Sequence, residues 1–158
     1  MSATVLVVDD EQTARSFVGG ALGDAGYEAI EAGDLAQARQ AIATGAADIV
    51  LLDVVLPDGS GLSLLQQIAL ENPSPPVILI TAFGEVDLAV QAMKQGALDF
   101  LQKPLDLEQL IGAVQRANEV VSLRRELAML RKSSHDQFEW IIGEAPAMVR
   151  ISRSARRH

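Results

Sequence analysis

Apolar residues occur in short runs along the chain, and helical spacing of apolar residues follows most of these runs. Five runs have the length and composition of buried strands. The predicted strands are Val5–Val8, Glu28–Glu31, Ile49–Leu52, Val77–Thr81 and Leu98–Leu101. The predicted helices cover about 13–22, 35–43, 62–70 and 86–95, and a fifth begins near Leu107.

Capping and breaking residues agree with these predicted boundaries. Asp34 has the residue type and position of a helix N-cap, and Gly45 and Gly96 stand where two helices should end. Three prolines exclude helix just before the fourth strand. They are Pro73, Pro75 and Pro76.

The regular alternation of strand and helix predicts an α/β fold. Strands that are apolar on both faces belong to a parallel sheet covered by helices on both sides. We therefore expect a doubly wound (βα)5 domain with a five-stranded parallel sheet of order 2-1-3-4-5. Right-handed crossovers place the carboxyl ends of all five strands at one edge, where open sheets of this type bind ligands.

Composition and charge narrow the class of protein. The 158 residues include no cysteine, so disulfides and thiolate metal sites are excluded. No apolar run approaches the roughly 20 residues that span a bilayer, so we expect a cytoplasmic protein without a membrane partner. The formal charge is −12 over the first 123 residues and +4 over the remainder. The acidic part is unsuited to binding nucleic acid.

Four of the predicted strands end in residues that carry chemistry. These residues are Asp9, Asp10 and Glu11 after the first strand, Asp53 after the third, Thr81 in the fourth and Lys103 after the fifth. Because the carboxyl ends of parallel strands meet at one edge of the sheet, we expect these side chains to converge. Clustered carboxylates are ligands for a hard divalent cation such as Mg²⁺.

A divalent cation explains why three acids follow one another after the first strand. Asp10 and Asp53 are the expected direct ligands, Asp9 binds directly or through water, and a backbone carbonyl beyond Asp53 completes the set. Asp53 lies centrally in the sheet and is then the carboxylate best placed to attack phosphorus. The Lys103 ammonium and the Thr81 hydroxyl would donate to the phosphoryl oxygens.

Each of these side chains has a plainer explanation when it is considered alone. An aspartate at a strand end is usually a cap or a turn former, a lysine is usually solvated, and a threonine there usually caps. Such residues at the ends of strands one, three, four and five together are not expected by chance. We therefore interpret the group as one site.

Four segments identify a family that the chain resembles. They are LVVDDE, IVLLDVVLPDGSGL, VILITAFG and GALDFLQKP, which lie in order and span most of residues 4–121. The chain is similar to the receiver domains of two-component response regulators. This resemblance implies the flavodoxin-like, CheY-like form of the predicted fold. It also implies that Asp53 accepts a phosphoryl group.

The resemblance assigns the metal ligands. Asp9 and Asp10 match the acidic pair that organises Mg²⁺ in the family. Asp53 and the backbone carbonyl of Val55 complete the implied ligand set.

The resemblance also implies a switch. Thr81 matches the hydroxyl that moves toward the phosphoryl group, and Lys103 matches the lysine of the family's site. Phe100 matches an aromatic residue that changes rotamer when the threonine moves. From its residue type alone, Phe100 would be interpreted as a core aromatic.

The fifth helix is predicted to be longer than one covering helix needs to be. Its apolar residues Val120, Leu123, Leu127 and Leu130 are spaced by three, four and three residues. This spacing predicts either an over-long amphipathic helix or a short coiled-coil seam between two copies. Residues 133–137 are expected to break the helix.

The last part of the chain resembles another domain type. The segment WIIGEAPAM is similar to the opening of the ATPase domain of NtrC-type, sigma-54-dependent activators, although no G-x-x-x-x-G-K-[ST] loop is present. We therefore predict a receiver domain over 1–121, a helical linker over 122–137 and the start of a truncated ATPase domain over 138–158.

These resemblances imply a switch and not an enzyme, with at most slow autodephosphorylation. A sensor histidine kinase would phosphorylate Asp53 in the presence of Mg²⁺. A homodimer would form through helix four, strand five and helix five, through the linker helix, or through both. The full-length protein would act with sigma-54 RNA polymerase and DNA.

Other functions remain open from the residues alone. A phosphohydrolase with an aspartate nucleophile needs D-x-D-x-[TV] after the first strand, where this chain has DDEQT. A flavin-binding carrier of the same fold needs a phosphate-binding loop there and more aromatic residues than the 4% present. A receiver-like interaction module that is never phosphorylated also stays open, although the complete set of residues at the strand ends argues against it.

Overall fold

The structure is a computed structural model that describes residues 3–71, 74–82 and 86–144, without the side chains of residues 86 and 132–144. The strands are β1 Thr4–Val8, β2 Glu28–Ala32, β3 Ile49–Asp53, β4 Val55–Leu56, β5 Gly59–Ser60, β6 Val77–Thr81 and β7 Asp99–Gln102. The helices are α1 Gln12–Asp24, α2 Leu35–Ala43, α3 Gly61–Ala69, α4 Val86–Lys94 and α5 Leu107–Glu144.

Five strands form one parallel sheet of order β2-β1-β3-β6-β7. This is the predicted order 2-1-3-4-5, because β4 and β5 form a separate antiparallel hairpin. The predicted α/β fold class is therefore confirmed. The hairpin was not predicted, since two-residue strands are too short to show an alternating pattern.

Alternate residues of each strand enter the two halves of the core. Val5 and Val7 of β1 pack in a layer with residues of α1 and α5, such as Leu22 and Leu110. Leu6 and Val8 of the same strand pack in the other layer, against residues of α2, α3 and α4. Burial on both faces explains why the strands contain continuous apolar runs.

The predicted helix boundaries at Asp34, Gly45 and Gly96 are confirmed. The Asp34 carboxylate caps α2 by accepting the backbone N–H of Gln37 at 2.8 Å. Gly45 and Gly96 follow α2 and α4 with φ angles of +77° and +105°. Glycine adopts these left-handed conformations without steric cost, so both helices end there.

The predicted break at residues 133–137 is wrong, because α5 continues from Leu107 to Glu144. That segment, SSHDQ, contains neither proline nor glycine, so only weak propensities oppose the helix. The chain divides into two compact units, Met1–Val121 and Ser122–His158. The predicted domain start at 138–158 lies largely outside the described residues, which end at 144.

No described helix is long and apolar enough to cross a membrane.

Candidate functional site

The carboxyl ends of β1, β3, β6 and β7 bring the predicted residues together. Asp9, Asp53 and Thr81 are buried, with 4%, 7% and 1% of their surface exposed. Asp10 is exposed, and Lys103 is half-buried at the end of β7. The peptide bond between Lys103 and Pro104 is cis.

Lys103 bridges the two buried carboxylates of the site. Its Nζ lies 2.8 Å from Asp53 Oδ2 and 3.0 Å from Asp9 Oδ2. Burial alone would lower the pKa of Lys103, but the hydrogen bonds and negative charges of Asp53 and Asp9 outweigh it and raise the pKa to about 12. The ammonium is therefore charged at any physiological pH.

The second oxygen of each buried carboxylate is held by the loop that follows its strand. Asp9 Oδ1 accepts the backbone N–H of Glu11 at 3.0 Å, and Asp53 Oδ1 accepts that of Val55 at 3.1 Å. Because buried carboxylates need partners on both oxygens, these local turns and Lys103 together fix the orientation of both groups.

Three carboxylates are placed for a metal ion. One oxygen each of Asp9, Asp10 and Asp53 lies within 4.8 Å of the others. Oxygen ligands so close together match the donor set of a hard cation such as Mg²⁺ or Ca²⁺. The group therefore fits the metal site predicted from the sequence.

Thr81 presents a buried hydroxyl that has no hydrogen-bond partner within the described part of the chain. A buried unpaired hydroxyl is unfavourable by roughly 1–3 kcal/mol, so it calls for a partner such as an ordered water or a bound acceptor. The backbone carbonyl of Thr81 accepts the N–H of Lys103 at 2.8 Å, which ties the two residues together. Phe100 is half-buried on the neighbouring strand and packs against the core.

Three further residues support the site and were not identified from the sequence. Arg15 donates to the backbone carbonyl of Asp9 and to Glu31 Oε1 at 3.1 Å. A Cβ on Gly61 would lie 2.2 Å from the carbonyl oxygen of Asp53, so only glycine fits there. Asp58 caps α2 from the hairpin loop. In the sequence, Arg15 is visible only as the first basic residue after the acids, and Asp58 only as part of an Asp-Gly turn pair. Neither pattern reveals a partner that is distant in sequence.

A parallel sheet of this order, with aspartates and a lysine at its carboxyl edge, defines a receiver-type domain. The chain belongs to the response regulator receiver domain family, whose model matches residues 5–115. The resemblance inferred from the motifs is thereby confirmed.

Curated relatives of the chain include response regulators of the NtrC type. The regulatory protein AtoC of Escherichia coli K12 is 34% identical over 94% of this chain and 33% of its own length. NtrX of Azorhizobium caulinodans is 38% identical over 84% of this chain and 30% of its own length. The chain thus spans about a third of the length of these relatives.

Solved structures agree with this assignment. NtrX from Brucella abortus superposes with a TM-score of 0.75 at 41% identity, over 84% of this chain and 30% of that one. The receiver domain of a putative LuxO repressor from Vibrio parahaemolyticus has a TM-score of 0.76 at 30% identity, over 80% of this chain and 98% of that one.

Proposed function

We propose that this chain is the phosphoacceptor domain of a two-component response regulator and that Asp53 carries the phosphoryl group. The observation that best supports this proposal is the buried Asp53 carboxylate, paired with Lys103 at 2.8 Å and clustered with two further acids. The family match and the NtrC-type relatives make a histidine kinase the expected phosphoryl donor.

In the proposed reaction, an Asp53 carboxylate oxygen attacks the phosphorus of a phosphohistidine. A new oxygen–phosphorus bond forms, which makes Asp53 an acyl phosphate. The bond between phosphorus and the imidazole nitrogen breaks, and the released histidine is neutral once that nitrogen is protonated. Lys103 remains charged beside Asp53 and pairs with the added negative charge. The chain acts as a switch that is modified once, with at most slow autodephosphorylation.

Asp9, Asp10 and Asp53 would hold Mg²⁺, together with the backbone carbonyl of Val55. When bound, Mg²⁺ supplies a Lewis acid that offsets the charge of the phosphoryl oxygens and of the acids. The separation of the three carboxylates within 4.8 Å supports this ligand set.

The switch is proposed to run through Thr81 and Phe100. The buried Thr81 hydroxyl lacks a partner among the described residues, so a phosphoryl oxygen on Asp53 offers it an acceptor. Its movement would free space for Phe100, which is half-buried on β7. The face formed by α4, β7 and α5 would then change.

The expected output is a change in homodimerisation. Val90 and Met93 of α4 are exposed to 49% and 45%, and Leu123, Leu127 and Leu130 of α5 are also exposed. Both surfaces suit contact with a second copy. In a full-length NtrC-type protein, this change would control a sigma-54 activator ATPase and transcription in the cytoplasm, with sigma-54 RNA polymerase and DNA as partners.

The test is the intact mass of the protein after incubation with acetyl phosphate, with and without Mg²⁺, beside the variant Asp53→Asn. We expect one phosphoryl addition that requires both Mg²⁺ and Asp53. Repeated release of phosphate without accumulation of the adduct would favour a phosphohydrolase. No adduct, and no binding of beryllofluoride, would favour a receiver-like module that is never phosphorylated.

A further inference from the structure

The hairpin that follows Asp53 is attached to the first turn of α2. Asp58 lies in the turn between β4 and β5, and its two carboxylate oxygens accept separate backbone N–H groups. Oδ1 accepts from Leu35 at 2.9 Å, and Oδ2 accepts from Ala36 at 3.1 Å. These are the first two residues of α2, whose amides have no partner within the helix.

Two aspartates therefore divide the capping of one helix. Asp34 is the N-cap in sequence, and its carboxylate accepts the N–H of Gln37 at 2.8 Å. Asp58 reaches the helix from 23 residues away in sequence and takes the two amides that Asp34 leaves. The hydrogen bond from Leu35, reinforced by that from Ala36, holds the pKa of Asp58 below its ordinary value, so the carboxylate is ionised at neutral pH.

The same hairpin is connected to the phosphoacceptor. Its first residue, Val55, donates its N–H to Asp53 Oδ1 at 3.1 Å. Just beyond its last residue, Gly61 donates to the carbonyl of Val54 at 2.7 Å and lies against the backbone of Asp53. The hairpin thus begins and ends beside Asp53, and its turn is bonded to α2.

We propose that Asp58 is a positioning residue for the metal and phosphoacceptor site, acting by fixing the β4–β5 hairpin, and with it the backbone of Val55, to the first turn of α2. This inference rests on the proposed function, because the proposed metal ligand on the hairpin is the Val55 carbonyl. Without the link, the hairpin loses its two hydrogen bonds to α2 and is held only by its bonds beside Asp53 and by the apolar contact of Leu56. The hairpin then moves more freely, and the preformed ligand arrangement is lost.

The matched control is Asp34→Ala. Asp34→Ala and Asp58→Ala both remove one negative charge and a cap from the same end of α2, so both should lower stability by similar amounts. Only Asp58→Ala disconnects the hairpin. Asp58→Asn is the conservative variant, because its single carbonyl oxygen can still accept one of the two N–H groups.

The experiment measures the Mg²⁺ dissociation constant of the full chain by calorimetry, well below the melting temperature of every variant. We expect Asp58→Ala to weaken Mg²⁺ binding by about 10-fold, which is at the low end for residues that orient metal ligands. Asp34→Ala should change it by less than about twofold, and Asp58→Asn should fall between. At saturating Mg²⁺, phosphorylation of Asp58→Ala by acetyl phosphate should return close to the wild-type rate.

Equal effects of Asp58→Ala and Asp34→Ala on Mg²⁺ binding would overturn the inference, since capping of α2 alone would then explain both. An unchanged dissociation constant in Asp58→Ala would overturn it as well. A wild-type protein that binds no Mg²⁺ and takes no phosphoryl group would instead overturn the proposed function, and this inference with it.

Discussion

At the scale of single residues, the site depends on one ammonium group between two buried carboxylates. Lys103 contacts both Asp9 and Asp53 within 3.0 Å. A buried carboxylate that loses its partner keeps the full unfavourable free energy of desolvation, which exceeds the modest net gain of making the pair. Lys103 therefore matters for folding as well as for the proposed chemistry.

We predict that Lys103→Met lowers the free energy of unfolding by on the order of 2 kcal/mol at neutral pH without Mg²⁺. The folded-state pKa of about 12 lies above the ordinary value of 10.5, so the stabilisation is complete below pH 10.5 and disappears as the pH rises through 12. Urea unfolding of both proteins across this range measures the difference.

Lys94→Met is the control for this prediction, because Lys94 is an exposed lysine in the last turn of α4 and its removal changes the charge equally. It should change stability only slightly at any pH. If the difference in the free energy of unfolding between wild type and Lys103→Met stays constant beyond pH 12, the ion-pair explanation is contradicted.

At the scale of elements, α5 combines two roles in one helix of 38 residues. Its first part buries Leu110, Ala113 and Val114 against the sheet. Between residues 122 and 131 its apolar residues are exposed, and those at 123, 127 and 130 follow the seam spacing of a coiled coil. Met129 is even more exposed, at 72%, but it lies off that seam.

We predict that Leu127→Gln weakens homodimerisation by about 10-fold or more, because burial of a leucine side chain contributes roughly 2 kcal/mol. Met129→Gln removes a comparable apolar side chain from the same helix and should leave the dimer unchanged. Sedimentation equilibrium of the three proteins gives the dissociation constants. Equal weakening by both substitutions, or a wild type that is monomeric in every state, would rule out a seam at these positions.

At the scale of the whole molecule, negative charge is concentrated in the part that contains the site. The first 123 residues carry −12, whereas the rest carries +4. Mutual repulsion among the acids opposes folding, and a cation held between three of them relieves part of it. Because such a cation binds the folded state and not the unfolded chain, it should raise the melting temperature.

We predict that Mg²⁺ stabilises the full chain by about 2.7 kcal/mol at a concentration 100 times the dissociation constant. Asp10→Asn should remove most of this effect by deleting one ligand, whereas Asp24→Asn, an exposed acid at the end of α1, should not. Thermal unfolding with Mg²⁺, and then with excess chelator, measures the shift. The same shift in both variants would indicate general charge screening without a specific site.

Much of the fold and most of the candidate site were predictable because the signals are local and repeat. Alternating strands and helices leave few allowed topologies, and right-handed crossovers bring Asp9, Asp53 and Lys103 to one edge of the sheet. The β4–β5 hairpin and the continuation of α5 through residues 133–137 were missed. Two-residue strands carry no period, and a short polar segment without proline or glycine barely favours either outcome.

The local pattern of the chain was thus sufficient to predict the order of elements, the burial of both faces of the sheet and the residues at its carboxyl edge. Tertiary contacts alone decided how those residues are held: Arg15 on the carbonyl of Asp9, Gly61 against the backbone of Asp53, and Asp58 on the first turn of α2. The physical reason is how far apart in sequence the interacting residues lie. Helix and strand periods arise from neighbours a few residues apart, whereas each supporting contact depends on where a separate loop is placed by the packing of the whole sheet.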